Sequence, residues 1–155
     1  MYRSFVVCVL LSVVFIFSAL VSWYEGSALL DKSWEWAHSA PFSQMINGEV
    51  MGEEQIVQLD YFVYAAKFRP LFPMLMFSSF ILLVLAVGSI LTKGRWKGSM
   101  VLLALLGVGL FAFSFLSYAS STLGGQVFFY FGIAAGMFAV GSALLMYVRF
   151  GRRTV

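Results

Sequence analysis

Few side chains in this sequence are of types that do chemistry, and three of them fall at helical spacing. Asp31, Glu35 and His38 lie at i, i+4 and i+7. On a continuous helix over residues 27–39 they project from one face, and two carboxylates with an imidazole are donors a divalent metal accepts. Lys32 lies among them and neutralises part of the charge, and no fourth ligand follows at a usable spacing. The set is therefore read as the solvated face of an interfacial helix, and no metal is assigned. Glu53 and Glu54 form an acidic pair of the kind used for general acid–base work. At the start of a helix such a pair is better read as a partner of the helix dipole.

The remaining chemistry is sparse. His38 is the only histidine, so two imidazoles cannot hold a haem. Cys8 is the only cysteine, so no intrachain disulfide or thiol relay forms. No phosphate-binding glycine loop, zinc-protease motif or dinucleotide fingerprint is present. The bases are too few and too scattered for a nucleic-acid surface. No nucleophile–base pair can be named, and the chain is read as a non-enzyme that carries no cofactor.

The elements that must position these residues follow from composition. Of 155 residues, 61% are hydrophobic and 11% charged. Soluble domains carry about 45–50% apolar and about 25% charged residues, so this chain cannot cover a water-facing surface. Disorder would need the opposite composition. Four apolar runs, approximately 5–24, 70–92, 99–120 and 126–148, are free of Asp, Glu, Lys and His. Each has the ~20 residues a helix needs to cross the hydrocarbon core. Backbone groups in lipid must be satisfied internally, so the runs are expected to be helices. The first run has a basic start at Arg3, but Ser22-Trp23-Tyr24-Glu25 offers no small-residue cleavage site, and it is read as a retained anchor. The expected fold is a single all-α membrane domain: four transmembrane helices in a bundle, with a structured extracytoplasmic loop over 25–69.

Charge sorting gives the orientation. All seven acids, with Lys32, Lys67 and Arg69, fall in the 25–69 segment. The other seven bases are Arg3, Lys93, Arg95, Lys97, Arg149, Arg152 and Arg153. The positive-inside rule places both termini and the 93–97 link in the cytoplasm and the acidic loop outside, in a cell membrane. Trp23, Tyr24, Trp96, Tyr118 and Tyr130 stand where interfacial anchors belong.

Within the loop, Leu29, Leu30, Trp34 and Ala37 supply an apolar face for a helix over 27–39, which Pro41 ends. Asn47-Gly48 between apolar residues is a type I′ hairpin signal. Ile56, Leu59, Val63 and Ala66 recur at helical spacing over 53–68, with a strand over 56–64 as the alternative. Pro70 opens the second span. In the spans, small residues mark contact faces: Ser4, Cys8 and Ser12; Gly107, Ser114 and Ser121; the G-x-x-x-G of Gly132 and Gly136; and Ala135, Ala139 and Ala143. Packing of one bundle is their first use, and homodimerisation through Gly132 and Gly136 the sharper one.

The long loop between the first two spans resembles claudin and tetraspan architecture in topology, although the loop cysteines and Trp-Gly-Leu-Trp signature of claudins are absent. The segment Ser22-Trp23-Tyr24-Glu25-Gly26-Ser27 with Trp34-Glu35-Trp36 resembles the DUF4306 type of small four-span membrane proteins of Gram-positive bacteria. That resemblance implies a bacterial membrane and no particular activity.

Three functions are compatible with these features. The first is an accessory or scaffold protein that binds another membrane protein through helix faces and an outer surface of Trp34, Trp36, Tyr61 and Tyr64. The second is a channel or transporter subunit with an oligomeric path lined by Ser78, Ser79, Ser89, Ser114, Ser117 and Ser121. The third is a lipid-binding or envelope-stress protein. The expected partners are membrane lipid and another membrane protein or a second copy, not nucleic acid.

Overall fold

The computed structural model describes residues 2–93 and 95–151; of the notable bases, Arg152, Arg153 and the Arg3 side chain lie outside what is described. Among the described residues the chain is helical, with no strand. Its helices are α1 (Tyr2–Gly26), α2 (Trp36–Ser39), α3 (Pro41–Asn47), α4 (Leu59–Phe68), α5 (Leu71–Leu91), α6 (Trp96–Ser117) and α7 (Leu123–Met146). Four of them, α1, α5, α6 and α7, are long and apolar enough to cross a membrane.

The ends of these helices follow from local chemistry. Pro70 stands just ahead of α5 with φ −68°, already helical, and Pro73 sits in the first turn where its missing N–H costs nothing. Thr122 caps α7 by accepting from the Gly125 N–H at 3.2 Å. A five-residue π turn, Tyr147–Gly151, continues α7.

The long helices associate as two pairs. α1 runs along α5, and α6 along α7, while α5 meets α6 only slightly. The arrangement is two hairpin-like pairs side by side, not four helices around one centre. Phe77 of α5 joins them: its ring lies 4.7 Å from Phe113 of α6 and 6.0 Å from Phe128 of α7. Within the first pair, Phe15 meets Phe80 and Phe17 meets Phe72.

Residues 27–70 fold into a cap on one end of both pairs. The helix expected over 27–39 is broken. A 3-10 turn at Ser27–Leu29 is followed by a non-helical Lys32 (φ −126°, ψ 71°), a second 3-10 turn at Ser33–Glu35, and then α2. At the break the Leu29 carbonyl accepts twice, from the Lys32 N–H at 3.1 Å and from the Trp36 indole N–H at 2.9 Å. The expected hairpin at Asn47-Gly48 is instead a helix end. Pro41 opens α3 at its first position, and Gly48 closes it with φ 74°. The same positive φ that serves a type I′ turn also serves a helix C-terminus, and the helix prevails because Pro41 presets its start. Helix α4 begins at Leu59 rather than near Glu53. Glu53 and Glu54 occupy a separate 3-10 turn, so they do not sit on the dipole of the longer helix.

Candidate functional site

The cap has a core of its own. Leu29, Ala40, Ile56, Tyr61 and Tyr64 are buried together, with Ala28, Leu30, Trp36 and Val50 packed on them. At its centre is a carboxylate. Asp60, in the first turn of α4, is 0% exposed. Its Oδ1 accepts from the Phe42 N–H at 2.9 Å and its Oδ2 from the Ser43 N–H at 2.8 Å. The Ser43 hydroxyl also donates to Oδ2 and accepts in turn from the Val57 N–H at 2.8 Å. One side chain thus satisfies the free amides at the start of α3, which would otherwise be orphaned inside the cap. A buried carboxylate requires this kind of compensation.

A second polar chain crosses the cap. Lys67 of α4 donates to the His38 carbonyl and, at 3.3 Å, to the buried Ser39 hydroxyl. Ser39 donates to Glu35 at 3.0 Å. Burial pushes the Lys67 ammonium below the usual lysine range, and the nearby Glu35 charge opposes the shift. Lys32 donates to the Tyr64 hydroxyl at 2.6 Å.

The cap is seated by two glycines. A methyl group on Gly26, at the end of α1, would lie 2.0 Å from the Tyr61 carbonyl oxygen. One on Gly124, at the start of α7, would lie 1.8 Å from the Ala66 carbonyl oxygen. Backbone touches backbone at both points, so α4 lies across the ends of one helix from each pair. Arg69 adds an ion pair to Glu25 at 3.5 Å.

This geometry redistributes the residues singled out in the sequence. Asp31, Glu35 and His38 do not share a face, because the helix that would align them is interrupted at Lys32. Glu35 is engaged with Ser39, and Asp31 and His38 are exposed. No three His, Cys, Asp or Glu among the described residues gather as metal donors. Tyr61 and Tyr64 are buried in the cap and Trp36 is half-buried, whereas Trp34 is 68% exposed. The outward aromatic surface narrows accordingly to Trp34.

Gly107, Ser114, Gly132 and Gly136 meet at the α6–α7 seam. A methyl on Gly132 would lie 2.9 Å from the Ser114 Cβ, and one on Gly107 2.6 Å from a Val140 methyl. The Ser114 hydroxyl donates to the Phe129 carbonyl across the seam at 2.6 Å. The G-x-x-x-G face is therefore occupied within the chain. Of the other serines considered for a pore, three bond back to their own helices: Ser79 donates to Met76, Ser89 to Ala86 and Ser117 to Phe113.

Nothing in the local sequence around Asp60 marks it as the centre of the cap. Its partner Ser43 lies 17 residues away, and the available signal, Pro41 as a helix opener, competes with Pro41 as a helix stop.

Between α5 and α6 lies an open apolar groove, two adjoining hollows of about 410 and 540 Å³ that share Phe80, Val84 and Leu102. Gly109 lines it, with no atom within 4 Å of where its Cβ would be.

Comparison with known proteins bears on the first half of the chain. The "Uncharacterized protein YjdJ" of Bacillus subtilis (strain 168) is 41% identical over 76 residues, spanning 48% of this chain and 70% of that protein. No solved structure matches. The claudin analogy finds no support. The family model described as "Domain of unknown function (DUF4306)" matches residues 5–92, which take in most of α1, the whole cap and α5, and the chain belongs to that family.

Proposed function

We propose that the protein is a non-enzymatic membrane accessory or scaffold protein, and that the α5–α6 groove receives an apolar transmembrane helix of a partner protein. The observation that carries this reading is the groove itself. Its lining offers no charged group to hold a solute, yet Gly109 leaves room for close backbone approach. Such approach at small residues is what associates helices in lipid, where hydrophobicity gives little preference. A disordered acyl chain has no helical backbone to make that close approach. The channel reading has less support, because Ser79, Ser89, Ser114 and Ser117 already donate to backbone carbonyls. The proposed setting is the bacterial cell membrane, with both termini cytoplasmic and the cap outside, as the sorting of bases and acids favours.

The test is photo-crosslinking from Val84 and Leu105 in native membranes. A discrete protein adduct that disappears in Gly109→Leu, with the fold unchanged, supports the reading. Adducts of lipid alone, or adducts indifferent to Gly109→Leu, overturn it.

A further inference from the structure

Helix α3 is amphipathic in the wrong sense for a helix in water. Its packed side carries the polar groups: Ser43 bound to Asp60, and Gln44 donating to the Trp36 carbonyl at 2.7 Å. The opposite side carries Phe42, Met45 and Ile46 at i, i+3 and i+4, exposed by 40, 83 and 70%. The helix Pro41–Asn47 contains no charged residue. A water-facing surface would place polar side chains there.

The position of α3 says what covers it. Helix α4 touches Gly26 at the end of α1 and Gly124 at the start of α7, and these are the ends at which two helices of membrane-spanning length would leave a bilayer. Both contacts, made by Tyr61 and Ala66 of one short helix, hold α4 along the membrane surface rather than above it. Asp60, one residue before Tyr61, binds the first amides of α3 directly. The start of α3 is therefore fixed at the depth of the headgroups. Amphipathic helices at that depth bury their apolar face at the headgroup–acyl boundary. We propose that the Phe42, Met45 and Ile46 face of α3 is immersed in the outer leaflet, so that the cap is a lipid-seated platform and not a free extracellular domain. The proposal rests on the membrane reading of the four long helices.

Spin labels test it in the full-length protein. In a Cys8→Ser background reconstituted into phosphatidylethanolamine–phosphatidylglycerol vesicles, single cysteines replace Met45, Ile46, Glu53 or Leu105. Collision with oxygen, which concentrates in lipid, is compared with collision with a water-soluble nickel chelate. The expected result is an oxygen-to-nickel ratio severalfold higher at positions 45 and 46 than at 53, approaching that at 105. Ratios at 45 and 46 equal to that at 53 overturn the proposal, as does shielding from both reagents, which would mean a protein contact. A water-like ratio at 105 would instead sink the membrane reading itself.

Discussion

Asp60 Oδ2 accepts from the Ser43 N–H at 2.8 Å in a site closed to solvent, and this contact ties the first turn of α4 to the first turn of α3. Asp60→Asn replaces an acceptor with an amide that faces two backbone donors. Charge-assisted bonds of this kind contribute about 1.5–3 kcal/mol each, and an orphaned donor adds its own cost. The expected loss for Asp60→Asn is about 3 kcal/mol, read as earlier proteolysis in the 40–60 region. Ser43→Ala should lose about 1–2 kcal/mol, since Val57 N–H also loses its acceptor. In a double-mutant cycle the two changes should be strongly non-additive. Simple additivity would mean that the two residues act separately.

The two glycine contacts predict a sharp positional effect. Gly124→Ala and Gly26→Ala each place a methyl group about 2 Å from a backbone carbonyl oxygen, which no side-chain rotation relieves. Overpacking typically costs about 1–3 kcal/mol, and these substitutions should reach the upper end by lifting α4. Gly109→Ala and Gly141→Ala, where nothing lies within 4 Å, should be close to neutral. Thermal unfolding in mild detergent compares the four. Equal effects would show that the cap is not seated as described.

Lys67 makes stability depend on pH with a definite sign. Burial lowers its folded-state pKa below the ordinary 10.5, so between the two values the unfolded chain binds more protons. Stability therefore rises with pH through that window, and the penalty for the buried charge is fully present below it. Lys67→Met removes this contribution. The stability of wild type relative to Lys67→Met should increase as pH approaches 10.5, in matched detergent melts. A difference that falls with pH would mean that the Glu35, Ser39 and His38 carbonyl contacts outweigh burial.

The four long helices were legible because an apolar run of membrane length has few alternatives, and Pro70 marks a start that the structure retains. The cap was not, because its determinants are distant in sequence. Periodicity over 27–39 favours one helix locally. The chain breaks at Lys32 because Leu29 and Trp36 join the same small core and share a hydrogen bond. Asn47-Gly48 shows that a positive-φ residue announces a change of direction without saying which element it ends. Tyr61 and Tyr64 read as surface aromatics in a loop, but α4 turns them into the core.

The G-x-x-x-G of α7 gives a prediction that separates internal packing from dimerisation. Gly132→Leu would drive a side chain into Ser114 and the Leu110 carbonyl and break the Ser114–Phe129 bond. The expected outcome is a destabilised α6–α7 pair. Ser114→Ala alone should cost about 0.6 kcal/mol, the average for a membrane hydrogen bond. Crosslinking between cysteines at Tyr118 and Phe129, whose rings lie 5.7 Å apart where the two helices meet, in a Cys8→Ser background would report the seam. Loss of a dimer band with that seam intact would assign the motif to self-association instead.

Ser18 and Ser22 offer the opposite case. Both are fully buried on α1, and neither hydroxyl has a partner; the nearby Glu25 Oε2 is likewise buried and unbonded. Removing an unsatisfied buried hydroxyl removes a desolvation cost of about 1–3 kcal/mol and leaves only a small void. Ser18→Ala and Ser22→Ala should therefore be neutral or stabilising by up to about 1 kcal/mol, in contrast to Ser43→Ala in the cap, whose hydroxyl is doubly engaged. Detergent unfolding midpoints rank the three directly. A loss on the Ser43→Ala scale at either α1 position would show that its hydroxyl is hydrogen-bonded in the folded protein and not a buried liability.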